Sequence, residues 1–260
     1  MITYFLLTAF SILGWTSDEG AKAKITQADG LYKDRADLTK VDQALTLLDQ
    51  AAQEATSNDV KFDALVHQSY TLYFLGTRQT EKSQKVKTFL DGDNKAREAI
   101  KIGDYADAYY WSAANLGRWG ETMGVLQSLG RKDELIKILK TISEKDTLNN
   151  EAGETYASYG ADRILGRVYA KLPSFAGGSR PQALALLKRS YEKGGGWALS
   201  AFYYADALAS GSADEKGEAK RILDKLLAND PKTFDPDRVP ETEDEFELAR
   251  KLRSELGKLG

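Results

Sequence analysis

The sequence predicts an all-α protein of stacked antiparallel helix pairs, and three observations predict it. Apolar residues recur at three- and four-residue spacing through almost every segment after residue 24, the mark of amphipathic helices. Alanine, leucine, lysine and glutamate are abundant and only five prolines occur, which suits helices and little else. Runs that alternate apolar with polar residues, as a half-buried strand would, are absent.

The elements follow in order. Residues 38–54 carry Val41, Ala44, Leu45, Leu48, Ala51 and Ala52 on one stripe. Residues 61–75 carry Phe62, Leu65, Val66, Tyr70, Tyr73 and Phe74. A third segment, 80–102, contains Asp91-Gly92-Asp93-Asn94, which reads either as a kink in one helix or as a break between two. Helices are then expected over 104–119, 121–129, 131–142, 151–172, 181–193 and 197–209, with Gly103, Gly130 and Gly194 at C-terminal caps. The helix from Ser212 or Ala213 to Leu227 stops before Asn229-Asp230-Pro231, where proline cannot continue it. The last helix is expected to start at the capping-box pattern Thr242-x-x-Glu245. Its acidic first turn and basic end complement the helix dipole.

One element repeats along these helices. A small residue is followed by an apolar residue four positions on and a small or apolar residue three further. It occurs as Ala44-Leu48-Ala51, Ala96-Ile100-Gly103, Ala183-Leu187-Ser190 and Ala219-Leu223-Leu226, the last followed by Pro231. This is the second-helix pattern of a tetratricopeptide (TPR) repeat, and the step from Ala183 to Ala219 is close to the TPR period. A degenerate copy fits around Glu134-Ile138. First-helix signatures are poor, so the repeats read as cryptic and irregular. Each pair buries its stripe only against the next pair, so stacking builds the core.

Composition narrows the function. The chain has 260 residues, enough for a core without a staple. It has no cysteine and a single histidine, His67, so disulfides, zinc-thiolate sites and cysteine nucleophiles are excluded and one imidazole remains for catalysis. His67 reads as a helix-surface or half-buried residue, because no nucleophile or metal pattern accompanies it. No carboxylate pair stands out for glycoside chemistry, and no GxxxxGK[ST] or GxGxxG phosphate loop occurs. The chain is expected not to be an enzyme, and no cofactor or metal is implied. With 39 acidic and 36 basic residues, it is not a basic nucleic-acid binder.

Residues 1–15 are uncharged and mostly apolar, too short to span a membrane and the right length for the core of an export signal. With Ala21-Lys22-Ala23 as a cleavage site, residues 1–23 are expected to be a signal peptide and 24–260 a single all-helical domain. Trp15 stands where a lipobox would place its cysteine, so a lipid anchor is not supported.

Two segments are unusual. In 104–119, apolar and aromatic residues point in every direction, as in a helix buried all round or lining an apolar cavity. Asn115 would be the polar handle of such a channel. In 159–181, Gly160 and Gly166 suggest close helix approach, and Arg163 and Arg167 share a face. If that face is interior, both need acidic partners or an anionic ligand; Glu121, Glu154 and Asp162 are candidates. The loop Phe175-Ala176-Gly177-Gly178 leads to Ser179, expected to cap the next helix.

The order YYWSAANLGRW (109–119), GADRILGRVYAKLPSFAGGSRPQAL (160–184) and a final pair ending in ANDP resembles the T component of tripartite ATP-independent periplasmic (TRAP) transporters, a TPR-type family. The likeness covers roughly residues 25–257. It implies an exported periplasmic protein that docks the substrate-binding (P) protein of a TRAP system, assembles as a homotrimer and encloses an apolar channel for a hydrophobic or carboxylate ligand. The motif positions carried over are Tyr109, Tyr110, Trp111, Asn115, Gly117 and Trp119, then Arg163, Gly166, Arg167, Leu172, Pro173, Gly177 and Gly178. Of these, Tyr109, Trp111, Asn115, Trp119, Arg163 and Arg167 are the expected ligand or channel contacts. Relatives in that family often look like lipoproteins, and this chain departs from them at Trp15.

Overall fold

The computed structural model describes residues 3–258, with side chains from residue 18 onward. It is all-α, with helices packed in antiparallel pairs and no strand among the described residues. The chain divides into two compact units, Met1–Ser128 and Leu129–Gly260.

The first unit contains α1 (Thr3–Lys33), α2 (Leu38–Glu54), α3 (Asn58–Arg78), α4 (Lys82–Ile100), α5 (Ala106–Met123) and the short α6 (Val125–Ser128). Side chains cap the starts of α2 and α3, whereas α4 and α5 start without a side-chain cap bond. Asp37 accepts from the Thr39 N–H at 2.9 Å at the start of α2. On α1, Asp18 accepts from the Thr56 and Ser57 N–H groups at 2.7 and 3.2 Å, which ties that helix to the α2–α3 turn. Ala44, Leu48 and Ala51 of α2 are buried as the repeat requires, whereas in the next copy Ala96 of α4 is buried and Ile100 and Gly103 are only half-buried. The Asp91–Asn94 stretch neither kinks nor breaks the chain, and α4 runs through it as one helix. Tertiary contacts outweigh the local breaker signal here. Gly92 and Asp93 are buried, and Asp93 accepts from Ser112 of α5 at 2.6 Å and from Arg97 at 2.9 Å.

The second unit contains α7 (Lys132–Ile142), α8 (Tyr156–Lys171), α9 (Arg180–Lys193), α10 (Ala198–Ala209), α11 (Ala213–Leu227), α12 (Pro231–Phe234) and α13 (Val239–Lys258). Ala183, Leu187 and Ser190 of α9 and Ala219, Leu223 and Leu226 of α11 are buried, again at the repeat positions. Phe246, Ala249, Leu252 and Leu256 of α13 complete the core formed by α10 and α11. The degenerate copy falls on α7, but its buried residues are Leu135, Leu139 and Ile142, one position on from the expected register.

Three local expectations need correction. The helix expected over 151–172 is regular only beyond Tyr159, because Ala157, Ser158 and Tyr159 take left-handed backbone angles (φ 50°, 54° and 56°). The capping box expected at Thr242-x-x-Glu245 lies inside α13, which starts at Val239 with Pro240 in its first turn, where a missing N–H costs nothing. The capping box that forms is Ser212–Glu215 at α11. Ser179 precedes α9 without a side-chain cap bond.

Among the described residues no helix is long and apolar enough to cross a membrane. The signal-peptide expectation rests mainly on residues 1–17, which lie outside the residues with described side chains.

Candidate functional site

Helical spacing on α3 puts His67, Tyr70, Phe74 and, beside them, Tyr73 along one side of the helix. This side meets α1 and α5. Trp111 of α5 stands 5.6 Å from both Tyr70 and Tyr73, ring centre to ring centre, and 5.1 Å from Tyr110. Tyr32 of α1 meets Tyr70 edge-on at 4.9 Å and Phe74 at 5.8 Å. Guanidinium groups cover the rings: Arg35 lies 4.7 Å from Tyr32, Arg78 4.8 Å from Phe74 and Arg118 5.9 Å from Tyr73. Tyr32, Tyr70, Tyr73 and Trp111 are half-buried rather than sealed in. Large amphipathic rings with arginines beside them are the residue types that dominate binding hot spots. They offer apolar area together with donors for an anionic group.

Within this cluster His67 is held between two carboxylates. Its Nδ1 is 2.8 Å from Asp29 of α1 and its Nε2 is 3.3 Å from Asp63, one turn back on α3. Tyr70 donates to the same Asp29 oxygen at 2.9 Å. Burial acts to lower the histidine pKa, but the hydrogen bonds and charges of Asp29 and Asp63 outweigh it and raise the value to about 9. Burial acts to raise the Asp29 carboxyl, yet His67 and Tyr70 hold it below its usual range. The arrangement is an ion-pair clasp joining α1 to α3.

The pH dependence follows from these directions. A histidine pKa raised by folding stabilises the fold fully below its unfolded value near 6.5, and that contribution is lost as pH rises through about 9. Thermal unfolding of the wild type is expected to shift to lower temperature between these two pH values. His67→Gln is expected to start lower and to stay nearly flat across that window. Parallel pH profiles for the two proteins would refute the clasp.

Asn115 is fully buried, and its amide nitrogen is occupied while its Oδ1 has no hydrogen-bond partner. Its Nδ2 donates to the Trp111 carbonyl at 2.9 Å, the Ser69 carbonyl at 3.2 Å and the Ser69 Oγ at 3.1 Å. Ser69 Oγ in turn donates to the Gly92 carbonyl at 2.8 Å. Asn115 therefore joins α3, α4 and α5 at one point. Gly92 is required there, since a Cβ on it would stand 2.4 Å from Asn115 Oδ1. Tyr109 is half-buried and donates to Asp104 at 2.8 Å, and Trp119 is half-buried near the end of α5.

In the second unit Arg163 and Arg167 have different surroundings. The Arg163 residue is 2 % exposed. One of its nitrogens donates to the Ala157 and Ser158 carbonyls at 3.2 and 3.4 Å and to Ser200 Oγ at 3.3 Å. Its guanidinium lies 4.9 Å from the Trp197 ring centre. It thus anchors the left-handed turn, where each non-glycine residue costs roughly 1–2 kcal/mol. Arg167 stacks 4.4 Å from the Tyr203 ring and pairs with Asp206. Burial raises the Asp206 carboxyl, but Arg167 and Lys171 outweigh that and lower it. The acidic partners expected from the sequence are used elsewhere: Glu154 and Asp162 pair with Arg189, and Glu121 pairs with Arg118. Gly166 is a close-approach glycine, because a Cβ there would meet Leu187 Cγ at 2.7 Å.

Sequence reading missed Trp197, Arg238 and Glu245. Arg238 lies 4.0 Å from the Trp197 ring and donates to Glu245 at 3.0 Å. A signal for Trp197 is present: Trp197-x-x-Ser200-Ala201-x-x-Tyr204 follows the first-helix TPR pattern, with Ser200 and Ala201 at its leucine and glycine positions. No group of three potential metal ligands forms among the described residues. Compared with protein-family models and with curated proteins, the chain matches none.

Proposed function

We propose that this chain is a non-catalytic, periplasmic accessory protein of a TRAP transport system. In this reading it docks the substrate-binding protein of that system, assembles as a homotrimer, and holds a hydrophobic or organic-acid ligand in an internal channel. The observation that carries the proposal is the half-buried aromatic cluster of Tyr32, Tyr70, Tyr73 and Trp111 with Arg35 and Arg118 against it. Two of its members, Trp111 and Arg118, lie in 105–119, one of the two stretches in which the sequence most resembles the T component. Rings take an apolar body and guanidiniums take a carboxylate. Asn115 serves the reading as the joint that fixes Trp111 in place rather than as an exposed handle. A second reading, a TPR-type scaffold for protein partners unrelated to transport, is favoured by the buried repeat positions of α2, α9 and α11.

The test is titration calorimetry of the full chain with the substrate-binding protein of a TRAP system from the same host. Trp111→Ala is expected to weaken that binding by about 2 kcal/mol, the scale of a hot-spot residue. Trp111→Phe is expected to recover part of the loss. Absence of binding by the wild type, with capture of a peptide from an unrelated protein, would replace the transport reading with the scaffold.

A further inference from the structure

The loop that joins α8 to α9 is a fixed turn that presents one large ring to solvent. The Pro173 carbonyl accepts from the Ala176 and Gly178 N–H groups at 2.9 and 3.0 Å, the Ser174 carbonyl from Gly177 at 3.1 Å, and the Tyr169 carbonyl from Ser179 at 3.1 Å. Gly177 has φ 94°, and a Cβ on Gly178 would stand 1.9 Å from the Leu172 carbonyl oxygen, so both positions call for glycine. Ala176 is buried, while Phe175 beside it is 79 % exposed, the most exposed large apolar side chain among the described residues. The turn closes through its backbone, and Phe175 lies outside the core. A ring held out on a rigid turn loses little conformational freedom when a partner buries it.

At the other end of α9, the loop before α10 and the connection between α12 and α13 enclose a cleft of about 530 Å³. Its apolar walls are Trp197 and Phe234, both half-buried, and Phe234 is braced edge-on by Phe246 at 5.5 Å. A cavity of about 150 Å³ holds a benzene ring, so the cleft has room for a phenylalanine ring with its turn behind it. Arg238 in the wall pairs with Asp235 at 3.4 Å and with Glu245 at 3.0 Å. These charges answer one another, so the occupant need carry none. Aromatic walls favour an aromatic occupant, because rings pack edge-on or offset against one another. Phe175 does not reach the cleft of its own chain, since α9 lies between them and its 14 residues span about 21 Å.

We infer that Phe175 of one copy inserts into the Trp197–Phe234 cleft of a second copy. The two surfaces differ, so the contact is heterologous, and repeated in one sense it closes into a ring or runs on as a filament. A phenyl ring buries about 150–250 Å², a fraction of the roughly 800 Å² per partner in a stable interface. Phe175 is therefore the anchor, and the surfaces round its turn and round the cleft mouth supply the rest. Only the expected ring size of three rests on the transport reading; the contact rests on residues of the second unit.

The experiment places the photo-crosslinker p-benzoylphenylalanine at position 175 of the full chain and maps the link by mass spectrometry in a mixture of isotope-labelled and unlabelled copies. A link between copies to residues 195–197 or 234–238 is expected. Sedimentation of the unsubstituted chain over a concentration series is expected to show self-association. Phe175→Ser, at an exposed position, is expected to keep its circular dichroism spectrum and to weaken association about thirtyfold or more, the scale of a hot-spot residue. Phe234→Ala removes one wall of the cleft and is expected to weaken association as well. Mixed, the two variants are expected to form a two-chain species: the first keeps an intact cleft, the second an intact ring, and the pair has no second contact to make. An unsubstituted chain that stays monomeric, a link within one copy or to another surface, unchanged association in Phe175→Ser, or folded variants that do not associate when mixed would each overturn the proposal. A link at the cleft in an assembly other than a trimer would uphold the contact and remove the trimer from the transport reading.

Discussion

Replacing Arg163 with Ala is expected to destabilise the second unit by about 3–5 kcal/mol, the range for removing one partner of a buried charged cluster. The residue is nearly sealed from solvent, and its loss acts on several elements at once. The carbonyls of Ala157 and Ser158 lose the donor that holds them, although the backbone there is left-handed at three successive non-glycine residues. Ser200 loses a donor, and the Trp197 ring loses one of two guanidiniums. Glu245 loses one of the two cations that favour its charged form. Arg163→Lys keeps the charge but replaces a planar fork with a point charge, so it is expected to restore only part of the stability. Urea unfolding measures the size of the effect. Amide exchange read by mass spectrometry locates it, with loss of protection expected first in α8 and in the first turns of α10. A loss under about 1 kcal/mol, the scale of an ordinary surface change, would mean that Arg163 does not hold the turn.

Gly92→Ala is expected to cost about 2–3 kcal/mol in the first unit. In an exposed helix the same change would gain about 1 kcal/mol. Here the new Cβ would stand 2.4–2.8 Å from the amide of Asn115. Asn115 would have to move, and overpacking of this kind costs about 1–3 kcal/mol. It would also give up bonds to Ser69 and Trp111 worth about 1 kcal/mol each. The two positions must then couple. Shortening Asn115 to Ala removes the obstacle, so the double variant is expected to be more stable than the sum of the single changes allows. Additive losses in a denaturant-unfolding cycle would show that Gly92 does not pack on Asn115.

These two sites also mark how much could be read from sequence. The helices of the repeat were legible because Ala44-Leu48-Ala51, Ala183-Leu187-Ser190 and Ala219-Leu223-Leu226 are local patterns, and a local pattern needs only helical geometry to place it in the core. The kink or break expected at Asp91–Asn94 is absent for the opposite reason. Local propensity disfavours helix there, but Ser112 and Asn115, about twenty residues further along, supply the contacts that keep it helical. Asp63 is among the sequence neighbours of His67. Asp29, which completes the clasp, is 38 residues away and reaches it only through the packing of α1 on α3. The interior position of Arg163 was left open by the sequence. The left-handed turn that it holds has no local signature, because Ala157, Ser158 and Tyr159 include no glycine or asparagine to favour it. At Thr242-x-x-Glu245 a short motif was matched at the wrong depth in the helix, with Pro240 setting the start instead.

The most direct test of the transport reading is native mass spectrometry of the protein purified with gentle washing from its own host. It reads assembly mass, N-terminal processing, bound ligand and bound partner together. The account predicts a trimer shortened at its N-terminus, carrying a small apolar acid and retaining the substrate-binding protein of a TRAP system. A full-length, ligand-free monomer without that partner would contradict it.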